Sequence, residues 1–245
     1  MTTHDLSTPR APFISADLAM AYQRWHSALL VHWPVPIASL RPLLPKRLAL
    51  DTFGDEVWVT AVAYTVTGSR MRLLPPLPGV ASFHACDLRT YVQLEGDTPG
   101  VWFFSRDATN AIGCALGRLA LRYPCFMMRA TRSQRGDEHR WASSRLLTTR
   151  AELSARWRVS GPALDTPPGS FEEFVANRKV MYSSSAGGRV WAAPVRSSGW
   201  QLFRAELLEL EQSIAVIEGV PPRSAPAAAH YMPGADIEFL GPRVG

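Results

Sequence analysis

Apolar and polar residues alternate with a period of two along much of the chain, most clearly between Phe83 and Cys125. Asp87, Arg89, Tyr91 and Gln93 interleave with Leu88, Thr90, Val92 and Leu94, which predicts a strand with two different faces over Asp87–Leu94. Val101–Asp107 (VWFFSRD) opens apolar at every position, as a strand buried on both sides does. A Glu-Gly-Asp-Thr-Pro-Gly turn joins the two. A helix over Thr109–Arg122 follows, with Ile112, Ala115, Leu116 and Leu119 on a stripe expected to face the core.

The rest of the chain continues this strand-rich pattern. Residues 1–15 read as a loose arm, and Ala16–Arg24 as a short helix. His26–Trp33 reads as a strand ended by Pro34 and Pro36, and Ile37–Leu44 as a helical or turn segment. Arg47–Asp51 and Glu56–Val66 are expected to pair as a hairpin. The prolines of GSRMRLLPPLPG predict a loop over a pocket mouth. Strands are then expected over Phe126–Arg132, His139–Thr148, Glu152–Ser160, Val190–Pro194, Trp200–Leu210 and Asp236–Leu240. Ser170 is placed to cap a helix running to Lys179, with Glu172 and Glu173 in its first turn. Many short strands with few helices give an α+β fold: one domain over residues 16–245, built on a large curved antiparallel sheet or barrel.

At 245 residues with 47% hydrophobic and 19% charged residues, composition is that of a globular chain with a sizeable core. No apolar run approaches the twenty or so residues of a membrane span, and the N-terminus lacks the pattern of a secretory signal. A cytoplasmic protein is expected. Of the 26 basic residues all but Lys46 and Lys179 are Arg. Codon bias accounts for this, or a taste for anionic ligands, which the guanidinium fork grips in two places. The arginines are scattered and no nucleic-acid motif is present, so nucleic acid is not expected as a partner. Cys86, Cys114 and Cys125 form no Cys-x-x-Cys pair and predict three reduced thiols.

Candidate chemistry is sparse. His26 and His32 share a strand face but stand roughly 20 Å apart, so they cannot share a metal. No metal or cofactor is expected. No Gly-x-Ser-x-Gly elbow exists, and Ser183–Ser185 read as turn residues. The polar ladder is the stronger signal. If Asp87, Arg89 and Tyr91 point inward, a carboxylate, a guanidinium and a phenol share a low-dielectric space, where charge requires partners. A structural Asp87–Arg89 pair is the competing reading. Arg118 and Arg122, one helical turn apart, either clamp a carboxylate or pair with surface acids.

The segments F-x-x-x-D-L-R-T-Y-V, G-V-W-F-F-S-R-D-A and G-R-L-A-L-R-Y-P, taken with HWPVPIASLRPLLPKRLALDTFGDEVWV, SRMRLLPPLPG, FEEFVANRKVMY and HYMPGADIEF, resemble the YqjF-like family, a domain of unknown function. The resemblance covers about residues 22–240. It implies the fold of the acetoacetate-decarboxylase-like superfamily, a single domain with a sheet closed into a cone-like barrel around a cavity. The superfamily's decarboxylases use a Schiff-base lysine beside a second lysine, after a Gly-Arg-Glu…Phe-Pro motif. Here Gly117-Arg118…Tyr123-Pro124 is followed by Cys125 and Phe126. Imine chemistry from that position is therefore excluded. The superfamily's pocket glutamate falls on Ala85, and relatives commonly carry Asn two residues on, where this chain has Asp87. In FVANRKVMY this chain has Asn177-Arg178-Lys179 where relatives tend to have Glu-Arg-Tyr.

These readings combine into an expected small-molecule enzyme of lyase, isomerase or cyclase type, acting on an enolisable carbonyl or carboxylate and placed in secondary metabolism. Asp87 would be the acid/base, Arg89 and Arg118 the anion stabilisers, and Tyr91 or Tyr123 proton donors. Arg70, His84, Phe104, Cys125 and Trp200 complete the expected substrate contacts. Lys179 is an imine former if it enters the cavity, and otherwise a solvated lysine at a helix end. The alternative is a non-catalytic pocket that binds a small acidic or aromatic ligand. A homo-oligomer is compatible with either.

Overall fold

The computed structural model describes residues 18–94, 98–185 and 187–244. The expected arm over residues 1–15 and the Glu95–Asp97 part of the turn lie outside the described residues. In chain order the elements are β1 (Ala21–Val35), α1 (Ile37–Leu40), β2 (Leu48–Leu50), β3 (Val57–Met71), β4 (Phe83–Leu94), β5 (Gly100–Ala108), α2 (Ala111–Leu116), β6 (Cys125–Arg135), β7 (Glu138–Arg145), β8 (Glu152–Ser160), α3 (Phe171–Ala176), β9 (Val180–Ser184), β10 (Val190–Ser197), β11 (Phe203–Gln212), α4 (Ile214–Ile217), β12 (Ala228–Phe239) and β13 (Arg243–Val244). No helix among the described residues is long and apolar enough to cross a membrane.

The strands close into a barrel. Pairing runs β5-β6-β7-β8-β11-β12-β1-β3-β4 and returns from β4 to β5, a ring of nine strands. β5 and β12 each serve two partners along one edge. The far end of β5 pairs in parallel with β6 and its near end in parallel with β9, while β12 meets β11 at one end and β10 at the other. The β9–β10 pair therefore bridges β5 to β12 and roofs the outer face of the β1–β3–β4 wall. Gly100 makes this junction possible. A Cβ there would lie 2.4 Å from the Val180 carbonyl oxygen, so only glycine lets β5 and β9 approach. The wall bends at an irregularity in β1 between His26 and Leu29, where Ser27 adopts a φ of 50°.

Two cores lie on opposite faces of this wall. Inside the nine-strand ring, Leu29, Val31, Trp33, Cys86, Leu88, Trp141 and Trp157 pack together. Each buried aromatic or aliphatic side chain there contributes on the order of 2 kcal/mol by leaving water. On the other face, Trp25, Tyr64, Ala85, Tyr91, Phe103 and Tyr123 pack under Met181, Ala193 and Val175. The period-two pattern of β4 is thus real, and its polar set faces the second core.

Several expected elements differ. β2 pairs with β4 rather than forming a hairpin with β3, because β4 offers it a free edge. Ala21–Arg24 belong to β1, which also continues through Pro34 opposite Trp58, so the helix expected from Ala16 does not form there. β3 extends to Met71, into the segment expected to be loop. The long helix is α2, capped by Asn110 accepting from Gly113 N–H at 3.0 Å, followed by a wider π turn over Gly117–Leu121 and ended by Arg122 in the left-handed region. Its apolar stripe faces outward, with Ile112, Leu116 and Leu119 exposed and Cys114 and Gly117 buried. α3 stops at Ala176, and its cap is Ser170 as expected.

Candidate active site

Three adjacent strands bring a charged cluster into the second core. Asp87 of β4 stands directly opposite Arg106 of β5 in the strand register and is fully buried. Asp87 Oδ1 lies 3.4 Å from Arg106 Nε. Tyr64 of β3 links the pair, donating its hydroxyl to Asp87 Oδ2 at 3.0 Å and accepting from Arg106 Nη2 at 2.6 Å. The guanidinium sits among the rings of Trp25, Tyr64, Phe103 and Tyr123, with its carbon 5.2–5.9 Å from their centroids. Ring faces carry partial negative charge and replace some of the cation's lost hydration. Trp25 stacks on Tyr64 at 4.1 Å and meets Trp200 edge-on at 5.8 Å.

The pairing is incomplete. Asp87 Oδ1, Arg106 Nη1 and Arg89 Nε are buried and have no hydrogen-bond partner among the described residues. Arg89, also buried, donates Nη2 to the Val175 carbonyl at 3.3 Å and places its guanidinium 5.5 Å from the Trp200 ring and 5.9 Å from that of Tyr91. Buried polar atoms are nearly always satisfied, so three orphans on neighbouring strands set this cluster apart. Burial raises the Asp87 pKa above the usual carboxylate value, against the opposing pull of Arg106, the Tyr64 hydrogen bond and Arg89. Burial likewise raises Tyr64 and Tyr123. The result is a carboxylate of elevated basicity beside two cations.

Of the residues singled out by sequence, Asp87, Arg89, Tyr91, Tyr123, Cys125 and Trp200 come together here. Asp87 stands two residues from Ala85 along the same face of β4. Cys125 is buried against Cys114, a neighbour that pushes its thiol pKa up, as burial does. Arg118 is not a clamp. It is exposed, donates Nε to the Cys125 carbonyl at 2.6 Å, and Arg122 packs on Trp191. Phe104 faces the first core, and Phe103 takes the expected place. His84 bonds Thr65 at 3.0 Å and packs edge-on to Trp141, a first-core residue. Lys179 is exposed on an outer depression with Phe174 and Arg178, the latter ion-paired to Asp51. The Asp87–Arg89 pair expected within one strand is replaced by Asp87–Arg106 across two.

Sequence reading missed Arg106, Tyr64 and Trp25. The signal for Arg106 was Ser105-Arg106-Asp107 in an otherwise apolar strand, three consecutive polar residues that are all buried. Asp107 points to the opposite face and is held by Arg145 through two bonds of 2.9 and 3.0 Å, with Glu218 on the same guanidinium at 2.7 Å. A groove of about 270 Å³ adjoins the cluster, lined by Met71, Leu74, Leu77, Ile112 and Leu116, with Arg70 among its polar residues. Tyr123 belongs both to this groove and to the ring set around Arg106. Its ring packs against Gly117, where a Cβ would come within 2.8 Å. Ile112 and Leu116 of the outward stripe thus form part of a groove wall.

A single closed ring of nine strands with few helices is the fold of the acetoacetate-decarboxylase-like barrels. The enduracididine biosynthesis enzyme MppR, in complex with the condensation product of pyruvate and imidazole 4-carboxaldehyde, matches with a TM-score of 0.67 at 15% identity over 93% of this chain and 90% of that one. Acetoacetate decarboxylase from Legionella pneumophila matches with a TM-score of 0.67 at 13% identity over 98% and 93%. At such identities the likeness is one of fold. By sequence the chain belongs to the DUF2071 family, described as an uncharacterized conserved protein, whose model matches residues 22–236. The uncharacterized protein YqjF of Bacillus subtilis (strain 168) is 27% identical over 217 residues, 89% of each chain.

Proposed function

We propose that this chain is an enzyme that moves a proton at the carbon next to a carbonyl in a small oxo acid, without an imine intermediate. The observation that carries this reading is the set of three orphaned polar atoms, Asp87 Oδ1, Arg106 Nη1 and Arg89 Nε. Asp87 Oδ1 accepts the proton as the C–H bond breaks, and the electron pair moves onto the carbonyl oxygen. Arg106 Nη1–H stabilises that enolate oxygen, and Arg89 holds the substrate carboxylate. Tyr64 keeps Asp87 Oδ2 occupied, so Oδ1 is the reacting oxygen. Returning the proton to another carbon gives isomerisation. Loss of a leaving group or attack of the enolate on a second carbonyl gives lyase or cyclase outcomes. Because Cys125 and Phe126 stand where the decarboxylases carry lysines, the guanidinium replaces the iminium as electron sink. The apolar groove past Tyr123 is the proposed approach path. The MppR complexes with pyruvate and with a pyruvate condensation product favour 2-oxo acids as first probes.

The test is deuterium incorporation at the α-carbon of pyruvate, 2-oxobutyrate and acetoacetate in D₂O, followed by proton NMR. Wild type should exchange, and Asp87→Asn should lose about a hundredfold or more while Arg106→Met loses saturation. Binding seen by thermal shift without exchange would assign a non-catalytic pocket. Exchange equal in wild type and Asp87→Asn would refute the role of Asp87.

A further inference from the structure

One side chain from each of four neighbouring strands of the shared wall forms a second buried polar line. The Tyr91 hydroxyl of β4 lies 2.6 Å from Thr60 Oγ1 of β3. Thr60 Oγ1 lies 2.9 Å from His32 Nδ1 of β1, the residue opposite it in the strand register. His32 Nε2 lies 3.0 Å from His230 Nδ1 of β12. His230 Nε2 lies 3.6 Å from Glu172 Oε1, the carboxylate of α3, whose side chain is 27% exposed. We infer that this line is a proton relay joining Tyr91, in the second core, to Glu172 at the surface. Its use in catalysis rests on the function proposed above. Its existence does not.

One assignment of donors runs consistently along the line. The Glu172 carboxylate, 3.6 Å from His230 Nε2 and so a charge contact longer than a hydrogen bond, favours the tautomer that turns Nε2–H toward it and leaves Nδ1 unprotonated. His32 must then donate from Nε2 and accept at Nδ1, from the Thr60 hydroxyl. Thr60 in turn accepts from Tyr91. In this assignment every donor points from the core toward the surface and both imidazoles are neutral. Burial favours that neutrality in both rings, with His230 and Arg89 acting further on His32, Arg204 acting with burial on His230, and Glu172 opposing it. Phe171 closes the site over both rings at 5.3 and 6.2 Å.

A concerted shift balances without an added reactant. Tyr91 gives its proton to Thr60, Thr60 gives its own to His32 Nδ1, and His32 gives the Nε2 proton to His230 Nδ1. His230 passes its Nε2 proton to Glu172 as their 3.6 Å separation closes to hydrogen-bond distance. Tyr91 is left as a phenolate, Glu172 as a carboxylic acid, and each imidazole in its other neutral tautomer. The negative charge moves inward to a ring flanked by the Arg89 and Arg178 guanidinia, 5.9 and 4.9 Å from its centroid. Reversal delivers a proton from solvent to the site.

The test uses the free protein and needs no substrate. Long-range ¹⁵N–¹H correlation on ¹⁵N-histidine protein at pH 7.5 should show His32 and His230 neutral, both carrying the Nε2 proton. A charged ring or an Nδ1–H tautomer in either would break the direction and overturn the relay. Solvent exchange of the His32 Nε2 proton, read by saturation transfer, should slow about tenfold in Glu172→Gln, which removes a charged acceptor two links away. Thr60→Val should slow exchange of the Tyr91 hydroxyl similarly, with folding of each variant checked by amide spectra. Unchanged exchange in Glu172→Gln would show that the line is structural. Should wild type fail to exchange α-protons of any oxo acid while these signatures hold, the proposed reaction falls and the relay stands.

Discussion

Removing one oxygen tests the linkage of the buried cluster. In Tyr64→Phe the ring stays stacked on Trp25, but the hydroxyl that donates to Asp87 Oδ2 and accepts from Arg106 Nη2 is lost. Asp87 Oδ1 has no hydrogen bond already, so the variant leaves both carboxylate oxygens without one in a fully buried site. Hydrogen bonds to charged groups are worth about 1.5–3 kcal/mol each, and the phenol makes two. Partial recovery by Arg106 closing onto Asp87 from its 3.4 Å separation brings the expected loss to roughly 3–5 kcal/mol. A chain of 245 residues unfolds with an entropy of about 0.5 kcal/mol/K, so the melting temperature should fall by about 6–10 °C. Calorimetry and urea melts measure it. A double-mutant cycle with Asp87→Asn should return a coupling of about 1–3 kcal/mol, because asparagine no longer needs the donor. Losing less than about 0.5 kcal/mol, or a coupling near zero, would refute the picture of one linked unit.

Two further outcomes follow from the fold. Burial raises the Asp107 pKa to about 6, despite the Arg145 ion pair. The folded state then holds a proton between about pH 4 and 6 that the unfolded state releases, so this group's contribution falls as pH rises through that window, by up to about 3 kcal/mol, and stays level above it. Urea melts at pH 4.5 and 7 should show a smaller drop in Asp107→Asn than in wild type, and an equal or larger drop would contradict the raised value. Gly100→Ala drives a Cβ into the Val180 carbonyl and the Tyr182 ring. It should cost about 1–3 kcal/mol, or about 2–6 °C in melting temperature, and a neutral result would mean that the β5–β9 junction relaxes freely.

The ladder on β4 was legible because both faces of that strand are buried, which leaves a clean period of two even where the faces differ in polarity. Its pairing was not. Asp87 and Arg89 are neighbours in sequence on one face, whereas the partner that reaches Asp87 is the cross-strand residue Arg106, and cross-strand neighbours on one face stand closer than i, i+2 neighbours. An irregularity between Leu88 and Arg89 shifts the β4–β5 register, and nothing local in the sequence announces it. The stripe Ile112, Leu116, Leu119 was visible as a pattern, but a pattern shows that a face is apolar and not what covers it. His32 and His230 are 198 residues apart and meet only because β1 and β12 pair. The sequence test applied to His32, spacing against His26 for a metal, could not find a partner so distant.

Arg89 stands between the two buried networks and acts on both. Its charge favours the ionised form of Asp87 on one side and the neutral form of His32 on the other. An ionised carboxylate is what a base at Asp87 requires, and a neutral imidazole is what a one-directional hydrogen-bond line requires. Burial pushes the Asp87 pKa up, and Arg89 is one of the groups that pull it back down. His32 would be held neutral by burial in any case, so Arg89 reinforces rather than sets its state. The same guanidinium is anchored to the Val175 carbonyl of α3, the helix that carries Glu172. One buried cation thus ties the orphaned cluster, the histidine line and the helix at the surface into a single electrostatic unit. That connection is why the proposed reaction is built on the polar ladder of β4.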